Sequence, residues 1–245
     1  MSFWGNIMTR FLAGYKAFRE PELISDLTAV MDGEFGEFEA RRLRYAIYWA
    51  AYENTIYRDG VHKWSKAYKT KHGLYRYIRG IYNPAYRLGE FWKTHIWGGD
   101  LASAIPIETE VEGLNEAIQQ VYRWSNWQIY KDVVALHGSV LGDVALMVVD
   151  DAARGKVYID VIHPGTIAEI ETDDFGNVKA YVLKEKRLDP RNTGNEVTYS
   201  EEAFRDGDNV VYRTFLNDTP YDWSGDGRGV EYTRPYGFIP MVLIQ

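Results

Sequence analysis

The side chains that could do chemistry are quickly bounded. The 245-residue chain contains no cysteine, which removes thiolate nucleophiles, zinc-thiolate knuckles and iron–sulfur clusters. Five histidines stand at His62, His72, His95, His137 and His163, and none forms the His-Glu-x-x-His pair of a helical zinc site. His95 and His137 fall beside apolar residues on helical segments and read as packing histidines. His163 precedes Pro164 at a strand end and reads as a turn cap. Gly138-Ser139-Val140-Leu141-Gly142 invites comparison with a nucleophile elbow, but His137 occupies the first glycine's place and the stretch follows a helix instead of a strand. A helix end with small residues is the expectation there.

Carboxylates occur in pairs at Asp150-Asp151, Asp173-Asp174, Glu201-Glu202, and Asp222 with Asp226. Acid–base work needs two carboxyls facing one cleft, whereas neighbouring turn residues point to water. Asp218, Asp222 and Asp226 could approach a calcium ion but do not follow an EF-hand loop. Gly225-Asp226-Gly227-Arg228-Gly229 echoes a dinucleotide loop without its strand or spacing, and no phosphate-cradling Gly-x-x-x-x-Gly-Lys run exists. The chain is therefore expected to be no enzyme and to carry no cofactor or metal.

A basic strip is the more informative cluster. Lys63, Lys66, Lys69, Lys71, Arg76 and Arg79 lie between residues 61 and 80 with no acid among them, interleaved with Trp64, Tyr68, Tyr75 and Tyr77. Such a strip suits either an acidic protein surface or a phosphate backbone with stacking bases. The charge distribution favours the first. The whole chain carries 28 basic and 35 acidic residues, net −7, but residues 1–100 hold 15 against 11 and the remainder 13 against 24. One end is thus +4 and the other −11, which are complementary surfaces for subunit contact.

These residues need elements to hold them. Pro21-Glu22 opens a helix to about Met31, and Phe38, Tyr45, Trp49, Tyr52 and Ile56 recur along a second, from Glu37 to Arg58. Asn83-Pro84 starts a third, with Ala85, Leu88, Trp92 and Ile96 as its buried stripe and Gly98-Gly99 as its stop. Two more are expected at about Glu112 to Trp124 and Asn126 to Leu141, the latter burying Ile129, Val133 and Leu136 or His137. From Gly142 the period changes. Val144 to Val149 is an unbroken apolar run fit for a strand buried on both faces, followed by strands at Lys156 to Ile162, from about Ala168, at Val178 to Lys184, Glu196 to Tyr199, Val210 to Leu216 and Phe238 to Ile244.

The expected fold is α+β: an N-terminal arm over 1–19, a helical layer over 20–141, and a mostly antiparallel sheet of five to seven strands over 142–245, with 217–229 as an exposed loop. No segment approaches the 18 or so apolar residues of a membrane span, and the N-terminus lacks the pattern of a signal peptide. A soluble, cytoplasm-made protein without membrane contact is expected. The close on Ile239-Pro240-Met241-Val242-Leu243-Ile244-Gln245 without a polar tail suggests a piece of a longer polypeptide. Aromatics make up 15% of the chain, and such residues dominate packing and interfaces.

Gly80-Ile81-Tyr82-Asn83-Pro84-Ala85-Tyr86-Arg87-Leu88, continuing through the aromatic helix to Gly98-Gly99, resembles the portal proteins of tailed bacteriophages with long tails. Tyr130-Lys131-Asp132 and His137 to Asp143, followed by an apolar strand and Val161-Ile162-His163-Pro164, resemble the same family's helix-to-sheet passage, which leads to a hairpin like Ile170 to Leu183. The resemblance spans roughly residues 20–245. It implies a wing domain belonging to a ring of twelve subunits at one capsid vertex, through which double-stranded DNA is packaged and ejected. It further implies contacts with the major capsid protein, a head–tail adaptor and the terminase motor, a place in the virion after assembly in the host cytoplasm, and a stem, clip and crown outside these residues. Another head–tail connector or virion component is the alternative, and a glycan-binding or glycan-cleaving protein a more remote one.

Overall fold

The computed structural model describes residues 36–53, 84–97, 109–152, 154–191, 194–223 and 229–244. Among the described residues four helices come first: α1 (Glu37–Tyr52), α2 (Pro84–Ile96), α3 (Leu114–Trp124) and α4 (Trp127–Leu141). Nine strands follow: β1 (Val144–Asp151), β2 (Lys156–Ile162), β3 (Ile167–Thr172), β4 (Val178–Leu188), β5 (Glu196–Asp206), β6 (Asn209–Leu216), β7 (Thr219–Pro220), β8 (Glu231–Arg234) and β9 (Met241–Ile244). The expected α+β order, helices before antiparallel strands, is what the chain adopts. The helix expected near residues 21–31 lies outside the described residues.

The strands form two sheets instead of one. A small sheet has the order β2-β1-β9, and a large one runs β3-β4-β5-β6 with β7 and β8 both on the far side of β6; every pairing is antiparallel. The two sheets exist because β1 serves two cores. Its Val144 and Leu146 join Tyr122, Trp127, Val134, Ile159 and Val161 under the helices. Ala145 and Met147 face the other way, with Ile162, Met241 and Leu243, onto Tyr181, Leu183, Ala203, Val210 and Tyr212 of the large sheet. The order of layers is therefore helices, small sheet, large sheet.

The expectation that β1 is buried on both faces holds at its start, where Val144 and Ala145 are sealed, and lapses at Val148, which is exposed. The strands β4 and β5 run to Leu188 and Asp206, longer than their apolar runs, because Lys184 to Arg187 and Glu201 to Arg205 alternate between an inner and an outer face. Helix α1 ends at Tyr52, short of Arg58, with the Glu53 N–H closing the last turn onto the Trp49 carbonyl. Asn54 and Thr55, which follow, are weak helix formers.

Turn chemistry sets the joints. Asn126, at φ 52°, breaks α3 from α4, and Gly142, at φ 84°, ends α4 before β1. The His163 ring accepts the Gly165 N–H at 3.0 Å, and a single 3₁₀ turn over Pro164–Thr166 carries the chain from the small sheet to the large one. The expected exposed loop after Leu216 begins instead as a hairpin. Asn217 and Asp218 turn at positive φ, β7 returns along β6, and Trp223 Nε1 donates to the Phe215 carbonyl at 2.9 Å.

Candidate functional site

The residues singled out for chemistry are mostly engaged in holding the fold. Asp150 accepts from Tyr236 Oη at 2.9 Å and lies 3.7 Å from Arg234; Asp151 pairs with Arg154 at 3.0 Å. Asp173 is an Asx turn, accepting from the N–H groups of Phe175 and Asn177. Glu201 is fixed by Tyr181 Oη at 2.7 Å and by the Tyr199 hydroxyl. Asp222 accepts from the Gly229 N–H at 3.3 Å. Ser139 Oγ donates to the Leu136 carbonyl inside α4, so it occupies a helix and not an elbow.

Among the described residues no group of three or more His, Asp or Glu is placed to hold a metal ion. Lys63, Lys66, Lys69, Lys71, Arg76 and Arg79 lie outside the described residues, as does Asp226.

The histidines divide by environment. His137 is buried and meets the half-buried His163 edge-to-face, with ring centroids 5.0 Å apart, and Trp49 of α1 closes on His137 at 6.0 Å. Burial pushes the His137 imidazole down to about 4, and pushes His163 well below its usual value, with the neighbouring His137 adding to the effect. His163 is thus the expected cap, and His137 packs as expected but is not the satisfied histidine anticipated, since its Nδ1 is buried without a hydrogen-bond partner among the described residues. His95 differs: it is exposed on α2, stacked on Phe91 with centroids 4.2 Å apart and its Nδ1 2.7 Å from the Phe91 carbonyl.

Helix α2 overturns a larger expectation. The stripe Leu88, Trp92 and Ile96 does not face the core: these residues are 59%, 52% and 50% exposed, and Phe91 is 50% exposed. The docked face is one position round, at Ala85, Gly89 and Lys93, with Gly89 alone fully buried. A β-carbon at Gly89 would lie 3.1 Å from Tyr52 Cε2 and 3.4 Å from Val140 Cγ2, so α1 and α4 grip the helix where it has no side chain. The Tyr52 hydroxyl donates to Glu90, which Lys93 also pairs at 3.1 Å. Burial first, then the Glu90 bond and charge, raises the Tyr52 hydroxyl pKa and keeps it a donor.

On α4 the expectation holds at His137, which is buried with Trp127, Lys131, Val134, Ala135 and Leu141, and fails at Ile129, which is exposed. What results on α2 is an exposed apolar strip of Leu88, Phe91, Trp92 and Ile96, with Trp92 edge-on to Phe91 at 5.6 Å, while the Tyr86 ring packs against Tyr52 at 5.3 Å. Exposed apolar strips of this kind mark surfaces for protein, membrane or ligand contact. Gly89 in the middle of the helix was the available sequence signal, since a helical glycine marks close approach. No family model matches the chain, and no curated protein matches it.

Proposed function

We propose that this chain is the wing portion of a phage portal subunit, a structural part of the capsid vertex that assembles with further copies of itself into a ring around a DNA conduit. The observation that carries the reading is the exposed apolar strip of α2, which falls on the segment that resembles portal proteins and presents a contact surface on a helix held rigidly by Gly89. Further support comes from the passage α4 to β1 to β2, the His163-Pro164 turn and the β3–β4 hairpin, which follows the order implied by the second resembling segment. The net charge of −7 suits a conduit that must not grip DNA. A ring needs a heterologous contact, in which one surface of each subunit meets a different surface of the next. Capsid protein, adaptor and packaging motor would be its partners in the virion.

Native mass spectrometry and negative-stain microscopy of the purified chain test this. Closed rings are expected, lost in the double variant Leu88→Asp, Trp92→Asp while the circular dichroism spectrum is retained. A folded chain that forms no ring at high concentration overturns the reading. If the same double variant instead abolishes binding on a glycan array, the exposed Trp92 serves carbohydrate.

A further inference from the structure

The turn between β4 and β5 holds the chain's single Asp-Pro pair, Asp189-Pro190. An aspartyl-prolyl bond is unusually easy to break in acid for two reasons. The aspartate carboxylate sits within ring-closing reach of the carbonyl of its own residue, and the tertiary proline nitrogen is more basic, and so a better leaving group, than an ordinary amide nitrogen.

Asp189 is held more firmly than an ordinary turn residue. Its side chain is 3% exposed, whereas Pro190 and Arg191 beyond it are exposed. Asp189 Oδ1 accepts the Arg191 main-chain N–H at 2.9 Å and Arg191 Nε at 2.8 Å, and Oδ2 accepts Nη2 at 2.9 Å. The guanidinium thus takes the carboxylate as a fork, one nitrogen to each oxygen, across the proline. On the other side the Asp189 N–H donates to the Asn195 carbonyl at 2.9 Å and closes the turn. A carboxylate held in this way is a poor nucleophile toward its own carbonyl, because swinging onto it breaks charge-assisted bonds at both oxygens.

We propose that Asp189-Pro190 is a self-cleavage site of this chain, kept latent in the folded state by the Arg191 clamp. In the reaction a carboxylate oxygen of Asp189 bonds to the main-chain carbonyl carbon of the same residue, and the C–N bond to Pro190 breaks as the proline nitrogen takes a proton from solvent acid. The five-membered cyclic anhydride left at Asp189 is opened by one water, which restores the side-chain carboxyl and leaves an α-carboxyl at that residue. The sum is hydrolysis of one peptide bond by one water. The cut parts 1–189 from 190–245, yet β4 stays paired with β5 from Ala180 opposite Phe204 to Leu188 opposite Glu196, and β1 stays paired with β9. A nicked chain therefore keeps its sheets and gains a free N-terminal proline between β4 and β5. None of this rests on the portal reading.

Intact-mass spectrometry under denaturing conditions reads the cut after incubation in acid, at the lowest pH where circular dichroism shows the chain folded, with and without guanidinium chloride. The unfolded chain should yield two fragments, the second beginning at Pro190 and their masses summing to the chain plus one water, at least about tenfold faster than the folded chain. Asp189→Glu, which would have to close a larger ring, should suppress the cut in the unfolded chain, where folding plays no part. In the folded state Arg191→Ala should raise the rate at least about tenfold, and Arg191→Lys, which keeps the charge without the fork, should fall between. Circular dichroism checks that both variants fold, and the wild-type comparison needs neither. Equal rates for folded and unfolded wild type, a cut at another bond, or a folded Arg191→Ala chain cut no faster than wild type overturns the proposal.

Discussion

Gly89 and His137 show how single residues govern this fold. At Gly89 a β-carbon meets the Tyr52 ring at 3.1 Å, and a branched side chain also presses on Val140. Gly89→Val should therefore destabilise the protein by about 1–3 kcal/mol, as overpacking does, despite the poor helix propensity of glycine. Urea unfolding measures it, and a neutral result would mean that α2 is not held by close approach. The histidine pair predicts acid sensitivity. Both imidazoles are held neutral in the folded state, with pKa values below those of the unfolded chain, so folding favours proton release. For His137 the stabilising effect relative to a charged state is complete above the ordinary histidine value near 6.5 and is lost as pH falls toward 4, with a slope of about 1.4 kcal/mol per pH unit within that window, and His163 acts in the same direction. His137→Phe should flatten the stability profile between those pH values, and a mutant profile parallel to wild type would refute the assignment.

At the scale of elements, the protection of strand edges is the common theme. Ser125 closes α3 through its Oγ–H donated to the Val121 carbonyl at 2.6 Å, and the same oxygen accepts the β2 edge at Ile159. Ser125→Ala leaves that buried N–H without a partner and should cost about 1–3 kcal/mol. Faster hydrogen exchange at the Ile159 amide is the expected signature, and unchanged protection would show that another group covers it. On the large sheet the inner face continues past the core into a stack, where the Arg187 guanidinium lies 3.4 Å over Tyr199 and 5.5 Å from Trp223, paired with Glu185. That stack anchors the hairpin after Leu216, so the described start of the segment expected to be a loop, residues 217–223, is packed through Tyr221 and Trp223. The polar stretches of β4 and β5 were hard to read as strands for a related reason. Half of each faces the outer side, and on the inner side Glu185 and Arg187 pair with each other while Glu201 accepts from the hydroxyls of Tyr181 and Tyr199.

For the whole molecule, association is the property at stake. The basic strip from Lys63 to Arg79 and the acidic C-terminal half are expected to meet between copies or against the capsid. Charge reversal at Lys66, Lys69 and Arg76 together should weaken assemblies in light scattering; unchanged assembly would remove electrostatic complementarity from the account. The chain's own sequence determined much. Proline at the start of α2, glycine at the end of α4, the change of hydrophobic period at Gly142 and the His163-Pro164 turn are local signals, because caps and turns are decided by a few adjacent residues. The α+β order followed from them. The tertiary structure decided which way each face points. A stripe such as Leu88, Trp92 and Ile96 announces an apolar face, but which neighbour covers it depends on how closely two helices approach, and Gly89 let α1 and α4 take the adjacent face instead. It likewise decided that β1 separates two cores and that Ser125 and Arg41 cover two edges. Each of these depends on residues brought together from distant parts of the chain, which spacing along a single sequence does not encode.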